Sequence, residues 1–188
     1  MNNLSIRIGV VGELGVGKRE LVHRICHPTD RAVAGHNVTG SWVGPTVDIL
    51  DFERRNGQGN AWVEFVVIPS ETRHPRSRQM LYSMGLDALF LVCDCTIQQT
   101  LLRMVEWIEE ATSTKRLKGT PIALVLCGPT PVNWTSDTSL ARIIEPLAST
   151  YRARIIDVSG HPAFAPLEPH QRQAMDEFFE LVIRYNTK

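Results

Sequence analysis

Residues 6–26 read IRIGVVGELGVGKRELVHRIC, and this stretch decides the fold. Its first part, residues 6–11, is a short apolar run typical of a buried strand. Glycines follow at once, and the chain then continues into the segment LVHRIC. The order of strand, glycine-rich turn and helix predicts the first unit of an α/β fold.

The turn itself, GELGVGKR from Gly12 to Arg19, matches the phosphate-binding pattern GxxxxGK. Glycines let backbone N–H groups converge on phosphate oxygens, the helix N-terminus adds partial positive charge, and Lys18 can reach the outer phosphates. The candidate phosphate-binding residues are Gly12, Glu13, Leu14, Gly15, Val16, Gly17, Lys18, Arg19 and Glu20.

Arg19 stands where this pattern normally has a serine or threonine whose hydroxyl binds magnesium. A guanidinium has no lone pair for a cation, so Arg19 argues against a magnesium site. Two interpretations stay open. Arg19 neutralises phosphate charge in place of the metal, or it fills the pocket and pairs with Glu13 or Glu20.

Strand and helix patterns alternate along the rest of the chain. A hairpin is predicted over residues 46–68, with Asn56-Gly57 supplying the positive φ values of a tight turn. Further strands are predicted at 88–94, 122–127 and 153–158, and further helices at 77–84, 98–111, 139–149 and 170–185. The pattern predicts one α/β domain over 1–188, with six strands, five helices and one antiparallel pair in a mostly parallel sheet.

Two helices have predicted buried faces. The expected buried residues are Leu101, Leu102, Val105 and Ile108 in the first, and Ala174, Phe178, Leu181, Val182 and Tyr185 in the last. In open sheets of this class the ligand site lies at the carboxyl ends of the strands.

Composition narrows the functional classes. The chain has 188 residues, with 20 Lys+Arg and 20 Asp+Glu, so its zero net charge gives no reason to expect nucleic-acid or anionic-membrane binding. No apolar run approaches the ~18 residues that span a bilayer, and the terminal residues carry no cysteine for prenylation. His23 and His27 lack a third metal ligand. We expect a cytoplasmic protein without a membrane anchor of its own.

The chain resembles a Ras-superfamily small GTPase of the Rab-like branch, and by eye the third Rab-like subfamily. The resembling segments are residues 6–26, SWVGPTVDI at 41–49, WVEF at 62–65, ALFLVCDCT at 88–96 and FFELVIRY at 178–185. The resemblance implies a Ras-like P-loop fold, guanine-nucleotide switching, and partner binding through two loops at about 36–46 and 69–78. It also suggests a role in trafficking.

The family's nucleotide motifs are only partly retained. Thr46 resembles the threonine that senses the γ-phosphate and magnesium, although a β-branched residue that starts a strand explains it equally well. The segment that should carry Asp-x-x-Gly and glutamine falls on Ile68-Pro69-Ser70-Glu71-Thr72, and the base-selecting Asn-Lys-x-Asp falls on residues 127–131, which contain no aspartate. Ser159 and Gly160 resemble the last motif and could keep a backbone contact to the base.

The resemblance therefore implies a Rab-like pseudoGTPase that acts as a protein-interaction module, with weak or no binding of GTP or GDP and no efficient hydrolysis. No catalytic residue and no metal ligand set is assigned. The alternatives are a GTP-binding switch with slow hydrolysis and, more distantly, an ATP-binding protein. A homodimer stays open. Arg73, His74, Arg76 and Arg78 form either a solvated loop or a surface for an acidic partner.

Overall fold

The computed structural model describes residues 4–28, 44–71, 76–160 and 165–187. The described strands are β1 (Leu4–Val11), β2 (Thr46–Glu53), β3 (Asn60–Val67), β4 (Ala88–Asp94), β5 (Ile122–Cys127) and β6 (Arg154–Asp157). The described helices are α1 (Lys18–Cys26), α2 (Arg76–Tyr82), α3 (Gln98–Leu102), α4 (Met104–Thr112), α5 (Thr138–Tyr151) and α6 (Pro169–Asn186). None of the helices in these ranges is long and apolar enough to cross a membrane.

The strands form one six-stranded sheet in the order β2-β3-β1-β4-β5-β6. Only β2 and β3 pair antiparallel, and every other neighbouring pair is parallel. The predicted α/β architecture is confirmed. Because β3 and β4 flank β1 in parallel, the loops that leave these three strands meet at one edge of the sheet.

The hairpin connection is longer than the Asn-Gly pattern predicts. The chain forms a short 3₁₀ turn at Arg55–Gly57, and the Arg54 N–H donates to the Gly59 carbonyl at 3.0 Å. The positive φ values belong to Gly57 and Gly59 rather than to Asn56. The chain therefore reverses direction over six residues, 54–59, and a two-residue turn with positive φ at Asn56 is not needed.

The predicted single helix at 98–111 is interrupted at Arg103, which separates α3 from α4. Leu102 and Val105 were expected in the core but are exposed, while the unassigned Met104 and Trp107 are buried. Leu101 and Ile108 are buried as predicted, and together with Met104 and Ala111 they follow helical spacing. The helical character was therefore predicted correctly, and the buried face was predicted correctly at two of its four positions.

The core lies on both faces of the sheet. One layer is packed by α1 and α6 and the other by α2–α5. In α6, Phe178 and Val182 are buried as predicted, but Tyr185 is about half exposed and Phe179 takes the central position. The Phe179 ring lies 5.4 Å from the ring of Phe52 and 5.8 Å from that of Phe65, both edge-on. The last helix thus fixes the hairpin against the central strands.

Candidate functional site

The candidate site begins at the glycine-rich turn between β1 and α1. Gly12 has a φ of +147°, and a Cβ built on it would lie 2.2 Å from the Val92 carbonyl oxygen of β4. Gly15 and Gly17 have φ values of +82° and +84°, and no atom of the described residues lies within 4 Å of where a Cβ would point. Gly12 is therefore required by close backbone packing, whereas Gly15 and Gly17 are favoured by their left-handed conformation. Gly17 caps α1 without a side-chain hydrogen bond.

Lys18, the first residue of α1, is buried with 9 % of its surface exposed. Its Nζ donates to the Gly12 carbonyl at 2.7 Å, to the Glu13 carbonyl at 2.8 Å and to Ser70 Oγ at 2.5 Å. An ammonium group has three N–H donors, so every donor of Lys18 has an acceptor within the protein.

Ser70 lies just beyond the carboxyl end of β3 and closes this arrangement. Its hydroxyl donates to the Gly12 carbonyl at 2.9 Å. Its own carbonyl accepts from Arg78 Nη1 of α2 at 2.7 Å. Ser70 consequently ties the segment after β3 to the glycine-rich turn on one side and to α2 on the other.

Burial lowers the pKa of the Lys18 amine from 10.5 to about 8. Arg19 acts on this pKa in the same direction as burial, Glu13 and Glu20 oppose the shift, and about 8 is the net result. Desolvation disfavours the charged form and is the largest cause. The two protonation states of Lys18 therefore interchange close to neutral pH.

The carboxylate of Glu13 faces α4. Its Oε1 accepts from Trp107 Nε1 at 2.8 Å, and its Oε2 accepts from Arg103 Nη1 at 3.0 Å. Both oxygens of this carboxylate therefore accept a hydrogen bond from α4 or from the break before it, and the pairing of Arg19 with Glu13 or Glu20 stays a prediction. The guanidinium of Arg78 also lies over the Trp107 ring, 5.0 Å from its centroid, and binds Glu110 at 2.6 Å.

The residues that resemble the base-binding motifs are engaged with one another. The Gly160 N–H donates to the Gly128 carbonyl at 2.9 Å, and Ser159 Oγ accepts from the Val132 N–H at 3.2 Å. Pro131 packs so closely against Gly160 that a Cβ built on Gly160 would lie 2.7 Å from the Cβ of Pro131. The loop after β5 thus already accepts the Gly160 N–H, and the backbone contact of this motif to a base stays a prediction.

A cavity of about 160 Å³ lies between the start of α1 and the ends of β4 and β5. It is lined by Gly15, Val16, Gly17, Glu20, Leu21, Arg24, Asp94, Cys127, Gly128, Pro129 and Val158. Arg24 is 6 % exposed and donates from Nε to the Ala165 carbonyl, while its Nη2 has no hydrogen-bond partner among the described residues. This volume is below the ~300–1,000 Å³ of typical small-molecule sites.

Other predicted residues are only partly brought to the site. Thr46 starts β2 and pairs with Val67, which fits its interpretation as a strand residue. Residues 36–43 of the first partner loop, and Arg73 and His74 of the second, lie outside the described residues. His27 Nε2 lies 3.2 Å from Asp48 Oδ2. Among the described residues, no group of three or more His, Cys, Asp or Glu side chains is placed to hold a metal ion.

Arg103, Trp107 and Arg24 were missed from the sequence, while Ser70, Arg78 and Pro131 were noted only as parts of their loops and not as residues that contact this site. One signal could have identified Ser70. The family resemblance aligns residues 68–72 with the γ-phosphate-sensing segment, and in the structure this segment follows β3, the parallel neighbour of β1. The others come from helices and loops that no local pattern connects to the glycine-rich turn.

The architecture defines an α/β protein consistent with a Ras-like fold, with a glycine-rich turn and a buried lysine at the carboxyl edge of its sheet. Comparisons with models of known protein families and with curated proteins find no match to this chain. Its function has to be inferred from the residues of the site.

Proposed function

We propose that this protein is a Rab-like pseudoGTPase that acts as a protein-interaction module, with weak or no guanine-nucleotide binding and no efficient hydrolysis. The observation that supports this proposal most strongly is the hydrogen bonding of Lys18, whose three N–H donors bind Gly12, Glu13 and Ser70 within the protein. A phosphate would have to displace at least one of these acceptors. Since Lys18 is buried and Ser70 is partly buried, that exchange would leave polar groups without partners.

The opposite end of the site supports the same proposal. Gly160 and Ser159 already make hydrogen bonds to the loop after β5, and Pro131 packs against Gly160. A guanine base would have to break this packing and would find no aspartate in residues 127–131. A bidentate polar contact to a base supplies ~1–3 kcal/mol of discrimination, and that source of selectivity is missing here.

Metal binding and hydrolysis are weakened independently. Arg19 offers no lone pair to magnesium. Glu71 and Thr72 stand in the sequence where the family has its switch glycine and water-orienting glutamine. Positioning of the attacking water and charge stabilisation account for several orders of magnitude in rate, so a nucleotide held here would be hydrolysed very slowly.

Nucleotide binding gives the direct test. Purified protein is denatured, any released nucleotide is identified, and GTP, GDP and ATP are titrated by calorimetry with and without magnesium. We expect far less than one nucleotide per chain and affinities no tighter than roughly millimolar, about −4 kcal/mol. Stoichiometric GDP, or micromolar magnesium-dependent GTP binding that Lys18→Ala abolishes, would establish the alternative of a slow GTPase switch.

Arg19→Ser provides the matched variant for this test. It restores the hydroxyl that normally binds magnesium and leaves the three Lys18 contacts in place. We expect it to bind GTP no better than the natural sequence, because the hydrogen bonds of Lys18 within the protein hinder phosphate binding more than the missing hydroxyl does. Micromolar GTP binding by Arg19→Ser, with no such binding by the natural sequence, would show that the missing hydroxyl prevents binding and that the hydrogen bonds of Lys18 do not.

The proposed interaction surface is the outer face of the β2–β3 hairpin. Val47, Ile49 and Trp62 point outward there, and each is at least 42 % exposed. β2 is also the edge strand of the sheet, with Asp51 and Glu53 exposed beside the apolar residues. This combination fits a protein partner that presents apolar side chains with a flanking basic residue.

Ile49→Asp is expected to abolish partner binding without unfolding the protein, because Ile49 is 53 % exposed. Leu102→Asp is the matched control, since Leu102 is 55 % exposed on α3, away from the hairpin. A partner captured from cells is identified, and its affinity for both variants is then measured with purified proteins. Equal loss of affinity in both variants, or in neither, would contradict this assignment.

A further inference from the structure

Ser70 and Lys18 together have a chemistry that nucleotide binding does not use. Ser70 Oγ lies 2.5 Å from Lys18 Nζ, within the distance at which a base takes a proton from a nucleophile. Serine hydroxyls are weak nucleophiles until an adjacent base accepts their proton, and a lysine amine serves as that base in some serine–lysine enzymes.

The hydrogen bonds around Lys18 suit a neutral amine as well as an ammonium. A neutral amine has two N–H donors and one lone pair. The Gly12 and Glu13 carbonyls, at 2.7 and 2.8 Å, accept the two donors. The third direction leads to Ser70 Oγ, so the lone pair of a neutral amine faces the serine oxygen. The Ser70 hydroxyl donates to the Gly12 carbonyl at 2.9 Å in the structure, and its hydrogen has to turn from Gly12 to Lys18 before the proton can pass. The carbonyl contacts thus orient Lys18 toward Ser70 in either state.

Ser70 also has room for a reactant. It lines a cavity of about 360 Å³ between the segment after β3 and α4, together with Glu13, Leu14, Glu71, Arg78, Arg103, Glu106, Trp107 and Glu110. This volume lies within the ~300–1,000 Å³ range of small-molecule sites. Four glutamates against two arginines give the lining a formal charge of −2, which disfavours anionic reactants.

We infer that Ser70 and Lys18 form a serine–lysine pair in which Ser70 accepts an acyl group from an uncharged or cationic activated ester or thioester. In this step Ser70 Oγ forms a bond to the acyl carbon, and the bond from that carbon to the leaving group breaks. The Ser70 proton passes to Lys18 Nζ, and the leaving group departs with the electron pair of the broken bond. No atom is oxidised or reduced.

The protonation state of Lys18 gives the step a defined pH dependence. Burial brings the pKa of Lys18 to about 8, with Arg19 acting in the same direction and Glu13 and Glu20 against it. Only the neutral amine accepts the Ser70 proton, so acylation is lost as the pH falls below this value. The neutral fraction rises about tenfold between pH ~7 and pH ~9.

The test is acylation of the full chain by 4-nitrophenyl acetate, followed by intact mass and peptide mapping. We expect one acetyl group on Ser70, formed about tenfold faster at pH ~9 than at pH ~7 after subtraction of the Ser70→Ala rate. Lys18→Arg should slow the reaction at least tenfold, because a guanidinium stays protonated between pH ~7 and pH ~9 and cannot accept the Ser70 proton. Ser83→Ala removes an exposed serine bound to the Met80 carbonyl and should change nothing.

Labelling of the natural sequence no faster than that of Ser70→Ala would overturn the inference, as would an acetyl group on Lys18 instead of Ser70. A rate that does not rise between the two pH values would also overturn it. That comparison needs no variant, so it holds even if Lys18→Arg folds poorly. The nucleotide titrations use no acyl donor, and their outcome is independent of this one.

Discussion

Phe179→Ala is expected to lower the free energy of unfolding by about 4 kcal/mol, the middle of the range for buried phenylalanines. Phe179 is fully buried in α6, and its ring contacts those of Phe52, Phe65 and Phe90 at centroid distances of 5.4, 5.8 and 6.3 Å. The substitution leaves a cavity at the junction of the last helix with β2, β3 and β4. Urea unfolding followed by circular dichroism measures the effect.

Tyr185→Ala provides the control for this cavity. Tyr185 lies in the same helix with 48 % of its surface exposed, so its removal should cost less than about 1 kcal/mol. The two variants share the change in helix propensity toward alanine and differ in burial. Equal losses of stability would mean that α6 does not pack on the hairpin as described.

The sheet could be predicted because its strands are marked locally. ALFLVCD and IALVLC are short apolar runs between polar segments, a pattern that fits strands buried on both faces. Helix faces were harder to predict. Leu102 and Met104 are both apolar, and which one is buried depends on how α4 meets the sheet, which no local pattern contains.

The candidate site was predictable in its backbone and not in its contacts. The glycine spacing around Lys18 identified the turn from the sequence alone. Ser70, however, lies 52 residues beyond Lys18, and Trp107 lies 94 residues beyond Glu13, although each pair is hydrogen bonded. Contacts of this kind depend on tertiary packing. The motif therefore predicted a phosphate-binding loop. In the structure, Lys18 of this loop donates all its hydrogen bonds to acceptors of the protein itself.

The glycine-rich turn also has a structural role that does not depend on any ligand. Gly12 packs directly on the β4 backbone, and Lys18 joins the carbonyl of Gly12 to Ser70. A chain that no longer binds nucleotide would still need both residues to hold β1, β3 and β4 together. Retention of the GxxxxGK pattern therefore does not by itself indicate nucleotide binding, and the stability of glycine variants can separate the two roles.

Gly12→Ala is expected to destabilise the protein by about 4 kcal/mol, through backbone strain and overpacking of ~1–3 kcal/mol each. Its Cβ would lie 2.2 Å from the Val92 carbonyl oxygen, a backbone atom fixed within the sheet, at a φ of +147°. Gly15→Ala is the matched control, since its φ of +82° is strained but its Cβ would meet no atom of the described residues within 4 Å. It should cost only ~1–2 kcal/mol. Chemical denaturation of both variants without nucleotide measures the difference. If Gly12→Ala proves no less stable than Gly15→Ala, close packing on β4 is not what requires a glycine at this position.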